Sequence, residues 1–151
     1  YVLRSSLTKK CTSSAMTTLS PEGIITNQVS GSKVLVFEGF MDFLSWLSNV
    51  QQDTPEYDCC ILNSVSNIDK ALPWITAHNN IAAFMDNDEA GRKTLQKIIE
   101  NVPDDAGKVC VYDMAKLYED YNDLNEKLSD ELSSKDEHSS INTHNHGDNT
   151  I

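Results

Sequence analysis

The sequence predicts an α/β fold, a four-stranded parallel sheet flanked by helices, and three observations carry that reading. Short apolar runs bounded by polar residues recur at 33–37, 58–63, 81–85 and 108–112 of the 151-residue chain. Continuous runs of that length are the pattern of strands buried on both faces, as parallel strands are when helices cover the sheet. Between the runs lie segments with apolar residues at helical spacing, so the connections are βαβ units with right-handed crossovers. Finally, two of the runs end in acids followed closely by glycine, Glu38-Gly39 and Asp86-Asn87-Asp88-Glu89-Ala90-Gly91, where an open α/β sheet keeps its ligands.

Residues 1–31 are the least patterned and are expected to form an irregular or hairpin-like lead-in. Ala15-Met16-Thr17-Thr18-Leu19 and Gly23-Ile24-Ile25-Thr26 tend to β, with the turn signal Ser20-Pro21-Glu22-Gly23 between them. After the first buried strand, Phe40, Phe43, Leu44, Leu47 and Val50 define a helix over 40–50 with one apolar face. Trp46 lies off that stripe and reads as a core or flank contact, because the interleaved basic and aromatic residues of single-strand binding are missing around it. Polar 51–57 is a loop, 58–63 the second strand, and Ser64 to Asn67 supply turn and N-cap residues.

Ile68, Leu72 and Ile75 point inward from a second helix over 68–78, where Pro73 requires either a start near Leu72 or a short turn followed by a fresh helix. His78 is expected on the surface at the helix end, where its partial charge suits the dipole. A third helix over 89–101 has Leu95, Ile98, Ile99 and Val102 inside and Arg92, Lys93, Gln96, Lys97 and Glu100 outside. Residues 102–107 end it, and 108–112 form the fourth strand with Asp113 at its edge. From 129 to 151 only Leu132, Ile141 and Ile151 are apolar, a composition that predicts a disordered acidic tail. His144 and His146 within it do not make a designed metal site.

The length suits one domain with a real core. Beginning at Tyr1, the chain is expected to be a piece of a longer protein. Its formal charge of −11 argues against a free-standing nucleic-acid binder. The tail accounts for −4 of this and leaves −7 on the body, so a grip on nucleic acid relies on metal, a local basic strip or another domain. Cys11, Cys59, Cys60 and Cys110 show no Cys-x-x-Cys pairing and read as reduced, buried thiols of a cytoplasmic protein. No apolar run approaches the roughly 20 residues that span a bilayer, and no signal-peptide pattern opens the chain.

The acids carry the chemistry. Asp86 and Asp88 lie two apart in extended chain, so both carboxylates project to one spot at the sheet's carboxyl edge. Carboxylates held that close repel unless a proton or cation intervenes, and a hard divalent ion with oxygen ligands is the usual cation, here Mg²⁺ or Mn²⁺. Glu38 occupies the equivalent position on the first strand. Together the stretches 34–42 and 82–92, a strand–Glu-Gly–helix unit followed by a strand–Asp-x-Asp-x-x-Gly–helix unit, resemble the Toprim domain of bacterial-type primases, topoisomerases and some nucleases and recombination proteins. The later Asp120-Tyr121-Asn122-Asp123-Leu124 resembles the Asp-x-Asn-Asp-Leu element that closes the domain in primase-like members. It also reads as a polar turn with an N-cap for a final helix.

The resemblance implies a Rossmann-like Toprim fold over 32–128. It assigns Asp86 and Asp88 to the metal and makes Glu38 either a further ligand or a general acid or base. Gly39 and Gly91 are positions where a side chain would obstruct a phosphate or helix–strand packing. Arg92 either meets phosphate at a helix amino end or pairs with Glu89 or sits solvated. The implied function is the metal site of a DNA primase-like nucleotidyltransferase, inactive as an isolated fragment, meeting DNA and nucleotides through the full-length protein and replication or mobilisation proteins as partners. Alternatives are a Toprim nuclease or topoisomerase fragment, for which Tyr112, Tyr118 and Tyr121 have no special claim as nucleophile, or a non-catalytic interaction module. Aspartyl-phosphate chemistry fits poorly, since the expected Thr two residues after the second Asp is Ala90.

Overall fold

The computed structural model describes residues 2–4, 9–11, 15–21, 33–103 and 109–142, with backbone alone for 2–4, 9–11 and 136–142. Strands β1 (Val2–Arg4) and β2 (Lys9–Cys11) pair antiparallel as a sheet of their own. The main sheet contains β3 (Thr17–Leu19), β4 (Lys33–Phe37), β5 (Asp58–Ile61), β6 (Asn80–Phe84) and β7 (Cys110–Asp113), ordered β3-β5-β4-β6-β7. β5, β4, β6 and β7 are parallel, as the apolar runs predict. The expectation of four strands is corrected by one. β3 adds antiparallel to the outer side of β5, with Thr17 opposite Ile61 and Leu19 opposite Cys59, and so pairs backbone groups that the edge of a four-stranded sheet would leave open. Asn63 helps seat it: at a left-handed φ of 59°, its amide donates to the Ala15 carbonyl at 3.0 Å.

Alternation along each strand divides the core into two layers. Val34, Val36, Ile81 and Ala83 face α2 (Ile68–Ile75) and α3 (Glu89–Asn101), where they meet Ala71, Ile75 and Ile98. Leu35, Phe37, Ala82 and Phe84 face the other way, toward Phe43 of α1 (Phe40–Asn49), Tyr118 and Leu124. Phe37 is the hub of that layer, stacked on Phe84 with centroids 4.7 Å apart and meeting Phe43 edge-on at 5.6 Å. Trp46, 5.8 Å from Phe37, makes the core contact expected of it.

Helix faces depart from the simple stripes. In α1 the inward face runs through Asp42, Phe43, Trp46 and Leu47, while Phe40, Leu44 and Val50 are exposed. In α3, Gly91, Thr94 and Ile98 are buried and Ile99 faces solvent. The period alone left each stripe's centre free to rotate by about one residue, and packing on the sheet chose it. Pro73 sits inside α2, which begins at Ile68 after a 3-10 turn at Val65–Asn67, so neither expected arrangement holds; proline removes one backbone donor from this short helix.

Three further expectations are corrected. His78 is fully buried, its Nε2 2.9 Å from Asp58 Oδ2 and its Nδ1 facing the Trp74 and Ile75 carbonyls at 3.0 and 3.2 Å. Its partner lies across the fold on β5, which no local signal announces. Cys110 is exposed because β7 is an edge strand, whereas Cys59 and Cys60 are buried. Lastly, α4 spans Leu124–Asn142, so residues 129–142 of the expected disordered tail are helical, and 143–151 lie outside the described residues. Composition argued only from the lack of buried surface. Leu124 anchors the first turn in the core and Leu128 packs against it one turn on, and Lys127 with Glu131 adds an i,i+4 pair at 3.7 Å.

Candidate metal centre

The site lies where the strand order turns back. β4 has β5 on one side and β6 on the other, and the carboxyl ends flanking such a switch point form the crevice that binds ligands in open α/β sheets. Parallel register sets Phe37 beside Phe84, so the residues that follow each strand meet. Glu38 donates its backbone N–H to the Phe84 carbonyl at 3.2 Å and accepts the Asp86 N–H on Oε2 at 3.0 Å. The glutamate is thereby fixed against the backbone of the aspartate.

Asp86 is half-buried, and its carboxyl is pushed up from 3.8 to about 7. Burial is the main cause, followed by the charges of Glu38, Asp42, Asp123 and Asp88. Asp42 was missing from the sequence-derived set. It occupies the third helical position of α1, whose side chains tilt back toward the amino end and hence toward the strand tip; that spacing after Glu38-Gly39 was the available signal. It is buried, and its Oδ1 accepts the Asn125 N–H at 3.1 Å. A Cβ on Gly39 would stand 3.0 Å from Asp42 Oδ2, so glycine leaves this carboxylate its room.

Asp88 plays a different part. It is exposed and caps α3, its Oδ1 accepting the Gly91 N–H at 2.7 Å. Gly91 is demanded by packing, because a Cβ there would fall 2.1 Å from the Asp86 carbonyl oxygen. Arg92 is exposed and donates from Nη1 to the Asn87 carbonyl at 3.2 Å, while Glu89 pairs with Lys93 at 2.7 Å rather than with Arg92.

The loop before α4 closes the edge. Asn122 Nδ2 lies 3.5 Å from Asp86 Oδ2, and the Asn122 carbonyl accepts the Asn87 N–H at 2.7 Å. Asp123 Oδ1 accepts the Glu126 N–H at 2.7 Å while Glu126 Oε2 accepts the Asn122 N–H at 2.8 Å, a reciprocal cap close to a capping box. The expected turn-plus-cap is thus present, and Ser45 ties the helix start to α1 through Asn125 at 2.9 Å.

Among the described residues no three His, Cys, Asp or Glu side chains form a ready-made metal cage. The donor set around Asp86 is nonetheless entirely hard oxygen, and its mutual repulsion is what a divalent cation relieves. That chemistry fits Mg²⁺ or Mn²⁺, ions held by one or two carboxylates with the remaining positions left to water and phosphate. Among the described residues no helix is long and apolar enough to cross a membrane.

A family model described as Toprim-like matches residues 35–128. No curated protein matches the chain. Among solved structures, the primase fragment of the bacteriophage T7 primase-helicase protein is 26% identical with a TM-score of 0.47, covering 66% of this chain and 39% of its own. A chain from the structure of bacteriophage T7 lagging-strand DNA polymerase interacting with primase domains bound to an RNA/DNA hybrid and dTTP is 26% identical with a TM-score of 0.46, covering 80% of this chain and 57% of its own. The chain therefore spans less than two thirds of either structure it resembles.

Proposed function

Since this chain belongs to the Toprim-like family, we propose that it is the Toprim domain of a DNA primase-like protein, holding Mg²⁺ or Mn²⁺ for nucleotidyl transfer. The observation that carries this reading is Asp86, a half-buried carboxyl at the sheet's switch point with Glu38, Asp42, Asp123 and Asp88 acting on it. The domain covers 32–128, preceded by a lead-in at 1–31 and followed by an acidic, polar tail.

A metal bound at this site would supply charge neutralisation at the reacting phosphate. Asp86 and Asp88 would hold it from this chain, Asp88 keeping Oδ1 on its helix cap with Oδ2 left for the metal. Glu38 either joins them or moves a proton from its seat on the Asp86 N–H. Arg92, exposed at the first turn of α3, meets substrate phosphate, where guanidinium geometry and the helix amino end both favour an anion. Gly39 leaves the Asp42 carboxylate its room and Gly91 lets α3 pack on the Asp86 backbone, so both serve that approach by shaping the strand tips. The primase reading, as against nuclease or topoisomerase, rests on the 120–124 element.

With a net charge of −11 the chain does not grip a polyanionic template by itself. DNA and nucleotides are met through the full-length cytoplasmic protein, with replication or mobilisation proteins as partners. The test is template-directed synthesis by that full-length protein, with labelled ribonucleotides and Mg²⁺. Glu38→Gln and Asp86→Asn should each lower synthesis by about 100-fold or more, and the isolated chain should make no primer. Variants that synthesise at the wild-type rate would leave a non-catalytic interaction module, which the acidic surface favours, as the reading.

A further inference from the structure

We propose that Asn87 is a positioning residue, the latch that holds the closing loop to the end of β6 so that Asn122 and Asp123 stand beside Asp86. The inference rests on the metal-site reading above and extends it to a residue that touches neither metal nor phosphate.

Asn87 lies between the two aspartates, so in extended chain its side chain points away from theirs. There it meets only carbonyl oxygens: Nδ2 lies 2.8 Å from Tyr118 O, 2.9 Å from Tyr121 O and 3.4 Å from Ala115 O. An amide nitrogen carries two hydrogens, and the two shorter contacts use them. The Asn87 backbone N–H donates to the Asn122 carbonyl at 2.7 Å, and its own carbonyl accepts from Arg92. One residue thus donates to positions 31 to 35 places away along the chain. Tyr118, whose hydroxyl donates to the Met85 carbonyl at 2.9 Å, provides a second, smaller staple.

Chemistry at this position is narrow. Three acceptors converge, so a donor is required; aspartate has the same shape but would turn oxygen against oxygen, and alanine would take this donor from the Tyr121 carbonyl and leave the Tyr118 carbonyl with the Tyr121 N–H alone. The consequence at the site is direct. The side-chain bonds hold the turn through Tyr118 and Tyr121, which leads straight into Asn122, whose amide reaches within 3.5 Å of Asp86 Oδ2, and the next residue is Asp123.

The experiment uses the full chain, with Mn²⁺ alone as the probe in calorimetry and amide hydrogen exchange as a metal-free readout. Asn87→Ala should speed exchange at Tyr121 and Asn122 by about tenfold or more while amides of β4 and α3 stay protected. Asn87→Asp should do the same, which separates the lost donor from lost volume. Mn²⁺ affinity should fall by about 10-fold or more in Asn87→Ala, the range of groups that orient ligands. Combined with Asp123→Asn, the loss should be no larger than the worse single variant, because both remove the same arm of the site. Unchanged exchange overturns the latch, and faster exchange with unchanged or independently multiplying Mn²⁺ losses overturns its positioning role. If the wild-type chain takes up no Mn²⁺, the metal reading fails on its own, and exchange alone then decides whether Asn87 holds the loop. Should Asn87→Ala not fold, Asn87→Ser, which keeps a donor, replaces it and should show the same effects in smaller measure.

Discussion

Replacing Asp86 by asparagine should stabilise the metal-free protein at neutral pH and do nothing at pH 4. In the folded chain its carboxyl is pushed from 3.8 up to about 7, by burial first and then by Glu38, Asp42, Asp123 and Asp88. The sign follows from proton counting. Between about pH 4 and 7 the unfolded chain has released this proton and the folded chain still holds it, so stability falls as pH rises through that window and stays lost above it. Taken whole, the gap corresponds to about 4 kcal/mol, and solvent screening of a half-exposed carboxyl reduces it to about 1–2 kcal/mol. Asparagine has no charge to confine. Without divalent ions, Asp86→Asn should melt about 2–8 °C above wild type at pH 7.5 and level with it at pH 4. Calorimetric melting across that pH range reads both numbers. Equal or lower melting of the variant at pH 7.5 would show that the carboxylates around Asp86 do not oppose the fold, and the electrostatic basis of the metal site would go with it.

Gly91→Ala should cost about 3 kcal/mol in urea unfolding, because the new Cβ would fall 2.1 Å from a backbone oxygen of Asp86 that cannot swing aside; a loss under about 1 kcal/mol would mean that α3 is free to shift. His78→Ala should destabilise by about 3–5 kcal/mol, since it leaves Asp58 buried without the imidazole that now lies 2.9 Å from it. The same denaturation measurement on Asp58→Leu/His78→Leu should recover much of that loss, and failure to recover any would assign the cost to packing alone. Brief treatment of the native protein with a thiol reagent, followed by peptide mass mapping, should label Cys110 and spare Cys59 and Cys60. The latter two are buried, and burial pushes both thiols up to about 12, with Asp58 adding to the effect at Cys59.

Much of the fold was legible because it is written in local periods. The run 33–37 is β4 to the residue, and the third helix begins and ends where its pattern does, at Glu89–Asn101. The acids at strand ends were legible because the continuous apolar runs buried on both faces of the sheet, 34–37 and 81–85, stop at Glu38 and Asp86, at one edge of a parallel pair. Asp88 as a helix cap was also within local reach, three residues before Gly91 whose N–H it accepts.

What the sequence determined by itself, then, is the α/β layering, the parallel direction of the four main strands and the placing of acids at the strand ends, because each depends on the pattern within a segment and on the helix that joins it to the next. Tertiary structure alone decided the rest. It brought β3 onto the edge of β5, sank His78 against Asp58 twenty residues earlier, turned the α1 face from Leu44 toward Trp46, and set Asn87 against the carbonyls of a loop some thirty residues on. The physical reason is common to all of these. A buried polar group or an open strand edge must be paired, and its partner is chosen by what the folded sheet brings within about 3 Å, a distance on which chain separation has no bearing.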